Sequence, residues 1–126
     1  MQPYLVETRR GPDLTVLSQT QPRLMSRAVS GASAAQLRDM MVNVVENGTG
    51  KPARIPGVQV AGKTGTAQTS PGNPPHAWFT AFAPATDPQV AVAVVVEDGG
   101  TLGGAATGSR VAAPIAKAIM EAVLDR

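Results

Sequence analysis

The stretch Gly57 to Gln68 reads GVQVAGKTGTAQ, and it sets Lys63 beside the hydroxyls of Thr64 and Thr66 and the glycines Gly62 and Gly65. A cation next to hydroxyls and accessible backbone can hold an anion, and two chemistries use such a group. In one, a strand delivers a glycine loop into a helix whose first amides face the phosphates of a nucleotide, and Gly57 to Thr64 matches G-x-x-x-x-G-K-[ST] in every letter. In the other, the residues belong to an edge strand that binds an extended peptide as an added strand. Gly65 then lets that peptide come close, Lys63 supplies a positive field, Thr64 and Thr66 hold a carboxylate, and one amide donates to a developing oxyanion. The second arrangement is an acyl-transfer site that recognises a peptide.

The elements around the stretch separate the two. The wildcard positions are Val-Gln-Val-Ala, a strand pattern, and Thr64 is followed by Gly65 and then Pro71, Pro74 and Pro75, which exclude the helix that a phosphate loop needs. A second nucleotide-like feature, VAVVVED, ends in Glu97 and Asp98, and Asp98-Gly99 is a turn signal. The nucleotide reading predicts magnesium-dependent nucleotide binding, and the missing helix counts against it.

Upstream, YLVET and LTVLS predict a short hairpin turning at RRGPD. Ser33 with Gln36 forms a capping-box pattern, and Leu37, Met40, Met41, Val44 and Val45 recur as one apolar helical face, predicting a helix from Ala34 to about Glu46. Asn47-Gly48-Thr49 fits a glycosylation acceptor but is read as the signal that stops this helix. Strands are expected over Val58 to Ala67, His76 to Phe82 and Val90 to Glu97, with connections short enough for antiparallel neighbours. A glycine-rich loop follows, expected to be mobile, and then a helix with Val111, Ile115, Ile119 and Val123 at helical spacing and Pro114 in its first turn. The fold class is therefore α+β, an antiparallel sheet covered by helices.

Composition narrows the partners. The chain has 126 residues, enough for one domain, and its formal charge of +2 is spread from Arg9 to Arg126 without a basic stripe, so nucleic acid is not expected. It has no cysteine and a single histidine, His76, which excludes a thiolate–imidazole zinc site; no metal and no cofactor are expected. His76 is read as structural rather than as a general base, and Trp78, Phe79 and Phe82 as packing between sheet and helices, with Trp78 open to a substrate-lining role. No apolar run is long enough to span a bilayer, and MQPYLVETRR has proline and charge where a leader would have an apolar run, so the chain alone is expected to be soluble.

KTGTAQ on a strand, HAWFTAFAPA and VAVAVVVED as the next two strands, and AAPIAKAIMEAVL as a closing helix resemble, in order, the C-terminal half of a penicillin-binding protein transpeptidase domain. The likeness is to the class B type of actinobacteria, in which PYLV…GPDLTVLS is also familiar, and it runs from about Tyr4 to Leu124. The resemblance implies that the whole chain, 1–126, is the C-terminal portion of such a domain. It implies a five-stranded sheet of which three strands are here, the other two lying in a missing upstream half. It further implies catalytic roles for Lys63, anchoring substrate and assisting proton movement, and for Thr66, whose amide is one oxyanion donor. Thr64 and Thr66 would bind the carboxylate of a D-Ala-D-Ala stem peptide or of a β-lactam, with Gly65 keeping the strand accessible to that substrate and Gln68 lining the same substrate-binding edge. The location implied is the outer face of the cytoplasmic membrane, through an anchor absent from this chain.

The family's Ser-x-x-Lys and Ser-x-Asn motifs do not occur in this sequence. Without a nucleophile and its base no acyl-enzyme forms, so the isolated chain is expected to be inactive and, with a sheet edge bared, marginal or self-associating. Met1 would then be an internal methionine of a longer polypeptide, or the chain a truncated, cleaved or split product. The alternative in a different class is a non-catalytic module that binds peptide carboxylates.

Overall fold

The computed structural model of the chain describes residues 2–125. It divides into two compact units, the first ending at Ser33 and the second beginning at Ala34.

The first unit holds the expected hairpin, β1 (Thr8–Arg10) antiparallel to β2 (Val16–Gln19). Its strands are shorter and later than YLVET suggests, because the chain reverses over Gly11 to Thr15, with the Leu14 amide donating to the Gly11 carbonyl at 3.0 Å. Asp13 braces this turn by accepting from the Thr15 hydroxyl at 2.7 Å and the Thr15 amide at 3.3 Å. The hydroxyl bond, then the amide bond, hold its carboxyl below the usual carboxylate range. A carboxyl with a depressed folded pKa supports its turn above the unfolded pKa and releases it as pH falls through the lower folded value. Titrated by NMR, the Thr15 amide is expected to move with a midpoint below that of a free aspartate; a midpoint at or above it would contradict the brace.

Helix α1 (Gly31–Glu46) starts three residues before the expected boundary. The cap is Ser30, whose hydroxyl accepts from the Ser33 amide at 3.1 Å, so Ser33 lies inside the first turn rather than before it. The helix ends where Asn47-Gly48 signals a stop, and the Gly50 amide turns back to the Val44 carbonyl at 2.9 Å. Of the apolar face read from the sequence only Val45 is buried, whereas Leu37 and Met40 are 54% and 60% exposed, because only the last turns of α1 reach the sheet of the second unit.

That sheet has the order β3-β4-β5, all antiparallel, from β3 (Ala61–Ala67), β4 (His76–Ala83) and β5 (Val90–Val96). Strand β3 begins at Ala61 rather than Val58, since Gly57 at φ +78° closes a tight turn in which Ile55 and Val58 bridge. Side chains alternate across the pleat. Ala77, Phe79, Ala81 and Ala83 of β4 are buried and face the core, while Trp78 and Thr80 are exposed on the other side. Phe79 packs as expected of it; Trp78 belongs to the opposite face.

Helix α2 (Ala113–Leu124) covers the core face, entered through a π-helical turn, Gly108–Ala112. Its buried stripe is Ala113, Ala116 and Met120, continued by Ala112 of the turn, while Ile115, Ile119 and Val123 are exposed. The sheet beneath presents the buried alanines and Phe79 of β4 and Val90, Val92, Val94 and Val96 of β5, and small helix residues let the two surfaces approach closely; the larger side chains flank the contact. The glycine-rich segment Glu97–Ala105 folds into 3-10 turns, with Asp98, Gly99, Gly100 and Gly103 at positive φ, a conformation that carries no steric cost for the three glycines.

Candidate functional site

In β3 the Lys-Thr-Gly triplet lies on a strand with a neighbour on one side only, because β4 pairs with it and nothing among the described residues pairs with its outer edge. An edge strand offers alternate unpaired amides and carbonyls, which the expectation of an added peptide strand requires. The stretch matching the phosphate-loop pattern ends inside a strand that continues to Ala67, so no helix opens at Thr64.

Register places the side chains. Lys63 stands opposite Thr80 and Gly65 opposite Trp78, so these four share the face away from α2. Lys63 is exposed, pairs with no carboxylate among the described residues, and donates from Nζ to the Thr64 carbonyl at 2.6 Å. Gly65 keeps this face open: a Cβ there would stand 3.2 Å from Trp78 Cβ. Thr64 lies opposite Phe79, on the α2 side, and its hydroxyl is 3.0 Å from that of Thr49. Thr66 is exposed two residues further along the strand. Gln68 lies beyond the strand and donates from Nε2 to the Asn73 carbonyl at 3.2 Å, bracing the β3–β4 connection.

The structure therefore brings Lys63, Thr64, Gly65 and Thr66 together on one edge and sets Gln68 at its end. His76, opposite Ala67, accepts through Nδ1 from the Asp98 amide at 3.0 Å, with the Asp98 carboxylate 3.8 Å away. That bond ties the 3-10 segment after β5 to the start of β4. Among the described residues no group of three His, Cys, Asp or Glu side chains comes together to hold a metal ion, and no helix is long and apolar enough to cross a membrane.

Two contributors carried no signal in the sequence. Thr49 reaches Thr64 across fifteen positions from a stretch that reads as a helix stop. Gly108 is buried against the backbone of Gly65 and Trp78. Neither contact follows from a local motif, and only the folded path of the chain puts these residues under the strand.

A model of the penicillin binding protein transpeptidase domain matches residues 1–121. The chain is 55% identical over 127 residues to the peptidoglycan D,D-transpeptidase PbpA of Mycolicibacterium smegmatis, a match covering 98% of this chain and 26% of that protein. It is 51% identical to the PbpA of Mycobacterium tuberculosis H37Rv, covering 99% of this chain and 26% of that protein. Among solved structures it superposes on the ceftriaxone acyl-enzyme complex of penicillin-binding protein A from M. tuberculosis with a TM-score of 0.88 at 49% identity, over 97% of this chain and 28% of that one. It also superposes on the D,D-transpeptidase domain of a peptidoglycan glycosyltransferase from Eggerthella lenta with a TM-score of 0.81 at 38% identity, over 98% of this chain and 27% of that one. The chain spans about a quarter of the length of the curated relatives it matches. On the order of its strands, its Lys-Thr-Gly edge and these matches, the chain belongs to the penicillin-binding protein transpeptidase family.

Proposed function

We propose that this chain is the C-terminal part of a peptidoglycan D,D-transpeptidase and supplies the strand edge that holds the donor peptide, or a β-lactam, while a serine borne on another segment attacks it. The observation that carries this reading is the open outer edge of β3 with Lys63 exposed beside it. A stem peptide ending in D-Ala-D-Ala lies along this edge as an added strand. Its terminal carboxylate is held by the Thr64 and Thr66 hydroxyls and the field of Lys63, with Gln68 at the far end of the edge.

In an antiparallel strand the amide and carbonyl of one residue point the same way, and residues two apart share that direction. The Thr64 carbonyl accepts from Lys63 Nζ rather than serving the ladder alone, which supports an outward set containing both Thr64 and Thr66. The Thr66 amide is then available to the oxygen of the scissile carbonyl as negative charge develops on it. The serine oxygen adds to that carbonyl and its proton passes to the leaving amine as the C–N bond to the terminal D-Ala breaks; an acceptor amine then attacks the ester, takes the acyl group and returns its proton to the freed serine oxygen. Lys63 assists the proton traffic and neutralises the carboxylate. This chain alone, lacking Ser-x-x-Lys and Ser-x-Asn, binds without turnover. The full protein works on the outer face of the cytoplasmic membrane, held by a segment upstream of these residues.

The test is release of D-Ala from a peptide ending in D-Ala-D-Ala, by a protein joining this chain to the serine-bearing part of the domain and by the chain alone. Release by the first, blocked by penicillin, with none by the second, is the expected result. Binding of the peptide without release by either would favour the non-catalytic module.

A further inference from the structure

Gly108 opens the turn that leads into α2 and is buried. A Cβ on it would run into the carbonyl oxygen of Trp78 and would stand 2.9 Å from the Gly65 carbonyl oxygen and 3.1 Å from the Gly65 nitrogen. Gly65 and Trp78 are directly opposed partners in the β3–β4 ladder. The bare Cα of Gly108 therefore rests on the backbone pair that carries the glycine of the Lys-Thr-Gly triplet. Gly108 is not among the positive-φ glycines of the chain, so what the position requires is the absence of a side chain, not a special backbone conformation.

The turn cannot easily move away. The Thr107 side chain accepts from the Arg110 amide at 3.3 Å, and Arg110 Nη1 donates to the Ala105 carbonyl at 3.0 Å. Further back, the segment is held to β4 by the bond from the Asp98 amide to His76, and Gly99 is buried where a Cβ would stand 2.9 Å from Ala106 Cβ. The stretch from Asp98 to Gly108 is thus tied to the β3–β4 ladder at His76, the partner of Ala67, and again at the Gly65–Trp78 pair.

We infer that Gly108 is a positioning residue for acyl transfer, setting the distance of the Lys63–Thr66 edge from α2 and with it the place of the Thr66 amide. This rests on the transpeptidase reading above. The atoms that a methyl group at Gly108 would meet are backbone, which cannot rotate aside, so the strand pair or the turn must shift by on the order of 1 Å, enough to cost about a hundredfold in a positioned reaction. Because the shift reaches the backbone beneath the oxyanion donor, it acts on the acylation step more than on initial binding.

The experiment is Gly108→Ala in the protein that joins this chain to its serine-bearing part, with the limiting rate of acylation by a fluorescent penicillin, the non-covalent Kd and the thermal melt measured together. Gly104→Ala is the control, since a Cβ there meets nothing within 4 Å. The expected result is acylation slowed about a hundredfold, Kd changed far less, and a melt that stays cooperative, with Gly104→Ala like the parent. A folded Gly108→Ala that acylates at the parent rate would overturn the inference, as would a loss confined to Kd or to Tm. Should Gly108→Ala not fold, Thr107→Val loosens the same turn without adding an atom against Gly65. It is expected to slow acylation more than Gly104→Ala does, and equal rates would overturn the inference. A parent protein that penicillin does not label would sink the transpeptidase reading itself, whereas a labelled parent with an equally fast Gly108→Ala removes only the role of Gly108.

Discussion

Lys63→Met, placed in the protein that joins this chain to its serine-bearing part, is expected to lower the second-order rate constant for penicillin acylation by about 10²–10³-fold, the range seen when one preorganised electrostatic group is removed from an acyl-transfer site. The size follows from where Lys63 stands. It is exposed on the edge of β3, opposite Thr80, and pairs with no carboxylate among the described residues, so its charge is free for a ligand anion. Its present partner, the Thr64 carbonyl at 2.6 Å, is neutral and on the same strand, and an arriving carboxylate replaces it with a stronger, charge-assisted bond. The change leaves the core untouched, so Tm should move little. Lys63→Arg keeps the charge but replaces a compact ammonium by a planar fork, and partial activity is expected from it. Acylation of Lys63→Met at the parent rate would show that the ammonium takes no part in the site.

The largest effect on stability is expected from Phe79→Ala, at about 3–5 kcal/mol. Phe79 has no exposed surface and is among the largest fully buried side chains of the core, with Val45, Val60 and Met120. Its ring fills the space over Gly62, where a Cβ would stand 2.6 Å from Phe79 Cζ and 3.2 Å from a Val45 methyl. Most of the other residues in the buried cluster are alanines, which cannot reach into the hole that a lost ring leaves, so little of the cavity will collapse. A domain is stable by about 5–15 kcal/mol, so this one change removes a large share. Because Phe79 is the register partner of Thr64, the same hole lies directly under the Lys-Thr-Gly triplet. Urea unfolding of the protein and the variant measures the difference, and a loss below about 1 kcal/mol would mean that the ring is not the keystone of this core.

What the sequence made legible were the features with strong local codes. The three strands of the second unit, their antiparallel order and the stop of α1 at Asn47-Gly48 followed from alternation, turn residues and short connections. The failure of the phosphate-loop pattern was visible too, since a run of prolines after Thr64 cannot become a helix. Burial was harder to read. The apolar periodicity of α2 pointed to Ile115, Ile119 and Val123, yet the contact went to Ala113, Ala116 and Met120, with Ala112 just before them, because small residues let a helix approach a sheet closely. The face of α1 with Leu37 and Met40 was correctly seen as apolar, but periodicity says nothing about how far along the helix a partner extends. The cap fell on Ser30 instead of Ser33, both serines being able to cap and only the path of the chain choosing between them. In the candidate site, residue types identified the edge strand, whereas the contacts that hold it, Thr49 on Thr64 and Gly108 on Gly65, come from 15 and 43 positions away and follow no spacing rule.

The most direct measurement labels membranes of the source cell with a fluorescent penicillin and pulls down the labelled protein with an antibody raised against these 126 residues. The account predicts a labelled band several times larger than 12.9 kDa, with the label on a serine outside these 126 residues. An antibody-reactive band at the chain's own size that carries no label, with no larger labelled species, would contradict it.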